Sequence, residues 1–152
     1  MIFEPHIAYY SSATRATERF VNKLEIPSQK ISSKNDAITV PSVLILPTYG
    51  STPPSGGKTN AVPIVVKKVL ANELSRSNVV AVVGTGNINF GADYCRAAYE
   101  VSSKLRVPIL GKVELMGTSA DVKNIKERIE YLYANDVDHF IGWPKKPISL
   151  PR

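Results

Sequence analysis

Four short, continuous runs of aliphatic and β-branched residues recur along the chain. They are IAYYS at 7–11, VLILP at 43–47, VVAVVG at 79–84 and VPILGKVEL at 107–115. Because these runs do not alternate with polar residues, they are typical of parallel strands covered on both faces. A weaker candidate at 29–32 brings the predicted number of strands to five.

Helical spacing of apolar residues appears between the strands. The predicted helices span residues 17–24, 62–74, 92–105 and 119–134. In the last of them, Ser119 is the predicted N-cap and Asp121 follows in the first turn, where the helix dipole favours an anion. Pro63 suits the start of the second helix.

Strands alternate with helices, which predicts an α/β fold with right-handed crossovers. The number of strands favours a three-layer sandwich with a five-stranded parallel sheet, in the order 2-1-3-4-5, over a larger dinucleotide-binding fold. We expect one domain over residues 1–135. Pro144, Pro147 and Pro151 interrupt regular structure in a Pro- and Lys-rich tail at 136–152, which either packs Phe140 and Trp143 on the domain or docks a partner.

Composition limits the classes of protein and of site that this chain can represent. The 152 residues are 43% hydrophobic, enough for a core, and no run reaches the roughly 18 apolar residues that span a bilayer. The N-terminus lacks the order of a signal peptide, so we expect a cytoplasmic protein that does not enter a membrane. The lone Cys95 is expected to be a small buried hydrophobe. His6 and His139 have no partners at metal-ligand spacing, so no metal site is predicted.

The net charge of +6 suggests an anionic partner or ligand, or serves solubility. The basic residues are scattered rather than interleaved with aromatic residues, and no nucleic-acid-binding motif is present, so nucleic acid is not an expected partner.

The predicted chemistry lies in three loops that follow strands. In the first, SSATRAT at 11–17, the hydroxyls of Ser11, Ser12, Thr14 and Thr17 surround the amides of a helix N-terminus. This arrangement suits a phosphate. A capped turn without a ligand is the alternative.

The second loop begins PTYG at 47–50. Tyr49 offers a face for a planar ring, and Gly50 permits close approach of the backbone. A surface turn is the alternative. The later string SGGKT resembles the end of a P-loop, but Thr52 stands where that motif needs its first glycine, so we exclude nucleotide hydrolysis.

The third loop, GTGNINFGADYC at 84–95, is the most specific string in the chain. Its glycines permit close approach, Asn87 and Asn89 offer donors and acceptors, and Phe90 offers a stacking face. A flavin needs this mixture, since its pyrimidine edge is polar and its faces are apolar. A glycine-rich turn with a core phenylalanine is the alternative.

At these residues the chain resembles the NrdI family of flavodoxin-like proteins. The matching strings are YYSSATRATERF, LILPTYG, NAVP, GTGNINFGADYC and VPILGKVELMGTSADV, in this order over residues 7 to about 125. The combination of GNINFG with ELMGT at 114–118 is more discriminating than either string alone.

The resemblance implies a flavodoxin-like fold and a noncovalently bound FMN. The residues that it assigns to the cofactor are Ser11, Ser12, Thr14, Arg15, Ala16, Thr17, Thr48, Tyr49, Gly50, Thr85, Gly86, Asn87, Asn89, Phe90 and Gly91. No side chain is expected to be a catalytic acid or base, because the cofactor carries the chemistry.

The resemblance also implies a role as a redox activator rather than an autonomous enzyme. The reduced flavin would convert oxygen to superoxide or peroxide and deliver it to the radical-bearing small subunit of a class Ib ribonucleotide reductase, with a flavin reductase or another donor supplying electrons. A general flavodoxin that carries single electrons is the alternative function, and a flavin-free phosphate-binding module is another.

One departure from the family pattern concerns the phosphate loop. The family commonly has Gly-Asn where this chain has Arg15 and Ala16. Arg15 either pairs with the phosphate or points to solvent. Lys58, in the second loop, is a candidate for stabilising an anionic reduced flavin.

Overall fold

The computed structural model describes residues 3–48, 61–89 and 94–145. Within these ranges the strands are β1 (Ile7–Tyr9), β2 (Ser28–Lys30), β3 (Ser42–Pro47), β4 (Val79–Gly86) and β5 (Ile109–Glu114). They pair in parallel in the order β2-β1-β3-β4-β5. The predicted number, direction and order of the strands are confirmed.

The helices in the described ranges are α1 (Ala16–Leu24), α2 (Ile64–Leu70), α3 (Glu73–Asn78), α4 (Arg96–Leu105) and α5 (Ser119–Asn135), followed by a 3-10 helix at Val137–Phe140. The single helix predicted at 62–74 is wrong. Helix α2 ends at Leu70. The side chain of Asn72 then accepts hydrogen bonds from the amides of Leu74 and Ser75, so Asn72 is the N-cap of a separate helix, α3.

Two other helix starts differ from the prediction. Helix α4 begins at Arg96 rather than at 92, after a turn at Tyr94 and Cys95, while residues 92 and 93 lie outside the described ranges. The N-cap of α5 is Thr118, so the prediction of Ser119 is wrong by one residue. Only Thr118 stands three residues before Asp121, with which it forms a reciprocal capping box.

The two faces of the sheet are covered by different helices. Gly84 of β4 faces α4, where an added Cβ would lie 2.9 Å from the Cβ atoms of both Ala98 and Cys95. The next residue, Thr85, is hydrogen-bonded to Thr17 of α1. Since successive strand residues point to opposite faces, α1 and α4 cover opposite faces, and α5 packs beside α1.

The core lies between the sheet and these helices. Ile7, Leu44, Val82, Phe20 and Ile129 are fully buried. Each such side chain contributes about 1.5–3 kcal/mol of burial free energy. The core explains why β3 and β4 are apolar at almost every position.

The segment after α5 also packs on this core. Phe140 is buried and Trp143 is partly buried against the core cluster. Cys95 is fully buried too, as expected. None of the helices in the described part of the chain has the length and apolar character needed to cross a bilayer.

Candidate functional site at the carboxyl edge of the sheet

A cavity of about 270 Å³ opens at the carboxyl edge of the parallel sheet. Its lining comes from the ends of four strands and the loops after them: Ser12, Thr14, Ala16, Thr17, Pro47, Thr48, Thr85, Gly86, Asn87 and Leu115. Ligands of open α/β sheets bind at this edge. Two larger hollows, of about 500 and 470 Å³, lie elsewhere, against α5 and between α2, α3 and α4.

Many of the residues predicted for the site come together in this cavity. Every lining residue except Pro47 and Leu115 was expected from the sequence. Ser11, Arg15 and Asn89 are described but do not line it. The predicted residues Tyr49, Gly50, Phe90 and Gly91, together with Lys58, lie outside the described ranges.

The two residues that the sequence reasoning missed had weak signals. Pro47 is the last residue of an apolar strand, and Leu115 belongs to the ELMGT string, whose role in a site was not considered. Leu115 has φ 52° and its amide donates to the Gly86 carbonyl at 2.7 Å. The backbone turn after β5 therefore brings the apolar side chain of Leu115 to the cavity.

The four predicted hydroxyls of the first loop have different roles. Ser11 Oγ accepts from the Glu18 amide at 3.2 Å and so caps α1. Thr17 Oγ1 and Thr85 Oγ1 lie 2.7 Å apart and are buried, so they bond each other. Ser12 Oγ and Thr14 Oγ1 are exposed and 3.0 Å apart, and these two hydroxyls are available to a ligand.

The N-terminus of α1 supplies two further donors. The Arg15 amide donates to the Ser12 carbonyl at 2.9 Å, and the Glu18 amide is taken by Ser11. Among the described residues, the amides of Ala16 and Thr17 have no hydrogen-bond acceptor, although both residues line the cavity. Free amides at the positive end of a helix dipole suit a phosphate.

The end of β4 forms the opposite wall. Asn87 Oδ1 accepts a hydrogen bond from the Asn89 amide at 2.9 Å, and the NH₂ group of Asn87 takes no part in this hydrogen bond. Gly86 backs onto Tyr94, because an added Cβ would lie 3.3 Å from Tyr94 Cδ2. Thr48 Oγ1 accepts from the Ala97 amide at 3.0 Å and joins the end of β3 to α4.

Cationic side chains lie on both faces of the sheet. Lys112 Nζ lies 5.8 Å from the centre of the Tyr94 ring and 5.3 Å from that of Tyr99, and its hydrogen bond with Tyr99 raises the pKa of Lys112. Burial raises the pKa of Tyr94 to about 12, so this phenol stays neutral. Arg15 and Lys30 lie on the other face.

The described residues contain no group of three His, Cys, Asp or Glu side chains that could hold a metal ion. The cavity offers hydroxyls and backbone amides as donors, and the side chains of Ala16, Pro47 and Leu115 as apolar surface. They fit the phosphate and ring of a flavin nucleotide.

A parallel sheet of this order, with a cavity at its carboxyl edge, defines a flavodoxin-like protein. Solved flavodoxins share the fold. A short-chain flavodoxin associated with a PDU bacterial microcompartment superimposes with a TM-score of 0.56 at 14% identity, over 87% of this chain and 98% of that one. Two-electron reduced Megasphaera elsdenii flavodoxin gives 0.53 at 17% identity, over 85% and 98%.

The sequence comparisons are more specific. The family model described as "NrdI Flavodoxin like" matches residues 8–127. Protein NrdI of Rhodococcus opacus (strain B4) is 41% identical over 151 residues, which cover 96% of each chain. The chain therefore belongs to the NrdI family of flavodoxin-like proteins.

Proposed function

We propose that this protein binds FMN and acts as the redox activator of a class Ib ribonucleotide reductase. In this role it reduces oxygen to superoxide or peroxide and delivers the oxidant to the radical-bearing small subunit. The observation that carries the proposal is the cavity at the carboxyl edge, which Ser12 and Thr14 line together with Ala16 and Thr17, whose amides have no acceptor within residues 3–48, 61–89 and 94–145. Membership of the NrdI family supports the same role.

Each part of the cavity has a proposed task. The hydroxyls of Ser12 and Thr14 and the two amides bind the phosphate. Thr48, Thr85, Gly86 and Asn87 lie along the ring, and the sequence predictions for Tyr49, Gly50, Asn89, Phe90 and Gly91 extend this wall. Leu115 covers apolar ring surface. The bound flavin supplies the electron transfer to oxygen, while the protein orients it and sets its electrostatic surroundings.

The rim of the cavity suits an acidic protein partner. Ile88, Leu115 and Met116 are apolar and 57%, 50% and 38% exposed. Arg19 Nη1 lies 3.6 Å from Met116 Sδ, and Lys23 Nζ donates to the Met116 carbonyl at 3.4 Å. An apolar patch with cations beside it favours docking onto an apolar surface with acidic residues.

Titration of the purified protein with FMN and with riboflavin tests the site. We expect FMN to bind and its fluorescence to be quenched. Ser12→Ala combined with Thr14→Ala should weaken FMN binding about tenfold or more while leaving riboflavin binding unchanged, because a hydrogen bond to a charged group contributes about 1.5–3 kcal/mol. Ser103→Ala, at an exposed hydroxyl on α4, is the matched control. A colourless protein that does not bind FMN would contradict the proposal.

Stopped-flow mixing of the reduced protein with oxygen tests the role. We expect the course of reoxidation to change when the radical-bearing subunit is present, and radical to appear in that subunit. A general single-electron carrier would show no dependence on that subunit.

A further inference from the structure

The residue that begins α1 has a backbone conformation that its side chain does not favour. Arg15 has a φ of 61°, in the left-handed region, and it makes no side-chain capping bond. N-cap residues are normally extended, whereas left-handed residues normally end helices, as Glu25 and Arg106 do here. Cys95, at the start of α4, is also left-handed, but its side chain is fully buried in the core, whereas that of Arg15 is exposed. Something must hold Arg15 in this conformation beside the cavity.

The Glu18 carboxylate holds the Arg15 side chain. Arg15 Nε donates to Glu18 Oε2 at 2.6 Å, and Arg15 Nη2 lies 2.5 Å from the same oxygen. The other oxygen, Oε1, accepts from Lys30 Nζ at 3.0 Å and lies 3.5 Å from the Tyr9 hydroxyl. The Glu18 side chain is only 11% exposed, so the carboxylate is a fixed anchor, whereas the Arg15 side chain is 65% exposed.

The pairing also favours the ionised form of Glu18. The hydrogen bond from Lys30 and then that from Arg15 hold the pKa of Glu18 below its ordinary value. The Arg15 guanidinium is therefore tied to an ionised carboxylate in the first turn of its own helix, and Arg15 does not line the cavity.

The conformation of Arg15 decides what the helix offers a ligand. In the left-handed region its amide donates to the Ser12 carbonyl, and the Ala16 and Thr17 amides, at the cavity wall, have no acceptor in the part of the chain that the structure describes. An ordinary N-cap would cover such amides with its own side-chain oxygen. Arginine has no such oxygen, so the amides remain available.

We propose that Glu18 is a positioning residue for the phosphate site. Its ion pair holds Arg15 in the left-handed conformation that presents the Ala16 and Thr17 amides to the phosphate of FMN, and Arg15 is not itself a phosphate ligand. This inference rests on the proposed function.

Two substitutions of Arg15 separate the backbone role from a charge role. Arg15→Gly and Arg15→Ala remove the same charge, but only glycine adopts this φ without steric cost. We expect Arg15→Ala to weaken FMN binding about five- to thirtyfold relative to Arg15→Gly. Riboflavin, which lacks the phosphate, should bind both variants equally. Equal losses of FMN affinity in the two variants would mean that Arg15 binds the phosphate, and would overturn the inference.

Glu18→Gln tests the anchor in two backgrounds. Removing the negative charge of Glu18 has the same direct effect on FMN affinity whether position 15 is arginine or glycine. The difference between the two backgrounds therefore reports only the interaction of Glu18 with Arg15. We expect Glu18→Gln to weaken FMN binding in the presence of Arg15 and not to weaken it in Arg15→Gly. The same change in both backgrounds would refute the positioning role.

Lys30→Met is the matched charge control, since it removes the other cation from the same carboxylate and leaves the Arg15 contact in place. We expect it to weaken FMN binding less than Arg15→Ala does, and an equal loss would show that net charge governs affinity. If the wild-type protein binds no FMN, the proposed function itself fails. If the wild type binds FMN and these comparisons come out equal, only the role of Glu18 fails.

Discussion

Gly84 allows α4 to lie directly on β4, and its replacement by alanine tests this contact. The new Cβ would lie 2.9 Å from the Cβ atoms of Ala98 and Cys95 and 3.1 Å from Cys95 Sγ. Carbon atoms normally pack about 3.5–4.0 Å apart. Two of the three obstructing atoms are attached directly to the backbone of α4, so the helix itself must move by roughly half an ångström.

The size of the effect follows from two opposing contributions. Forcing an extra methyl group into a packed core costs about 1–3 kcal/mol. Replacing a strand glycine by alanine returns about 0.5–1 kcal/mol. We therefore expect Gly84→Ala to lower the free energy of unfolding by about 1 kcal/mol, and by no more than about 2.5 kcal/mol. At this chain length a loss of about 1 kcal/mol lowers Tm by about 2–4 °C.

Urea unfolding followed by circular dichroism measures this loss. Gly111→Ala on β5 is the control, because its new Cβ would meet Cδ1 of Ile125, the tip of a side chain that can rotate away. Ala98→Gly removes one of the obstructing atoms but itself destabilises α4 by about 0.5–1 kcal/mol. The double variant with Gly84→Ala should therefore lose less stability than the sum of the two single variants. A Gly84→Ala protein as stable as the wild type would refute the close contact between β4 and α4.

Three further predictions concern buried groups. Burial lowers the pKa of Lys145 from an ordinary value of 10.5 to about 8, so between pH 8 and 10.5 the unfolded chain binds more protons than the folded one. Over this range the stability of the wild type relative to Lys145→Met should rise by about 3 kcal/mol, measured by denaturation at a series of pH values. Burial raises the pKa of Cys95 to about 11, so at neutral pH roughly one thiol in ten thousand is ionised, and thiol reagents should label the native protein far more slowly than the unfolded chain. The Tyr133 hydroxyl donates to the Pro41 carbonyl at 2.6 Å and lies 3.3 Å from the His6 carbonyl, so Tyr133→Phe should cost about 1–2 kcal/mol in urea unfolding.

Each of these outcomes has a clear opposite. The pH argument fails if the difference between wild type and Lys145→Met is flat or falls from pH 8 to 10.5. Rapid stoichiometric labelling of the native protein would show that Cys95 is accessible. An unchanged urea midpoint in Tyr133→Phe would show that the buried hydroxyl bonds carry no net stability.

Local pattern was sufficient for the architecture. Strands β3 and β4 are apolar at nearly every position because both of their faces are covered, and that signal is visible in any short window of sequence. The alternation of strands with helices then leaves few topologies, since crossovers are right-handed. Helix boundaries were harder, because Asn72, Thr118 and Ser119 all belong to residue types that favour caps and only the bonds formed decide which one is used.

The candidate site divides in the same way. Its loops were predictable because the carboxyl ends of parallel strands meet at one edge, which places Ser12, Thr48 and Thr85 together whatever the details. The roles of individual groups depended on distant partners. Thr17 was expected to offer its hydroxyl to a ligand, but it bonds Thr85, 68 positions away. Leu115 reaches the cavity through a left-handed turn that no local pattern indicated.

Arg15 illustrates what the sequence predicts and what depends on the tertiary structure. By itself the sequence determined the fold, the family resemblance and the edge of the sheet at which the predicted loops meet, because these follow from periodicity and from strings of neighbouring residues. Only the tertiary structure brought Lys30 of β2 to the carboxylate that also pairs with Arg15. The contact between Lys30 and Glu18 depends on a distance between two elements of the fold, and that distance exists only after the chain has packed.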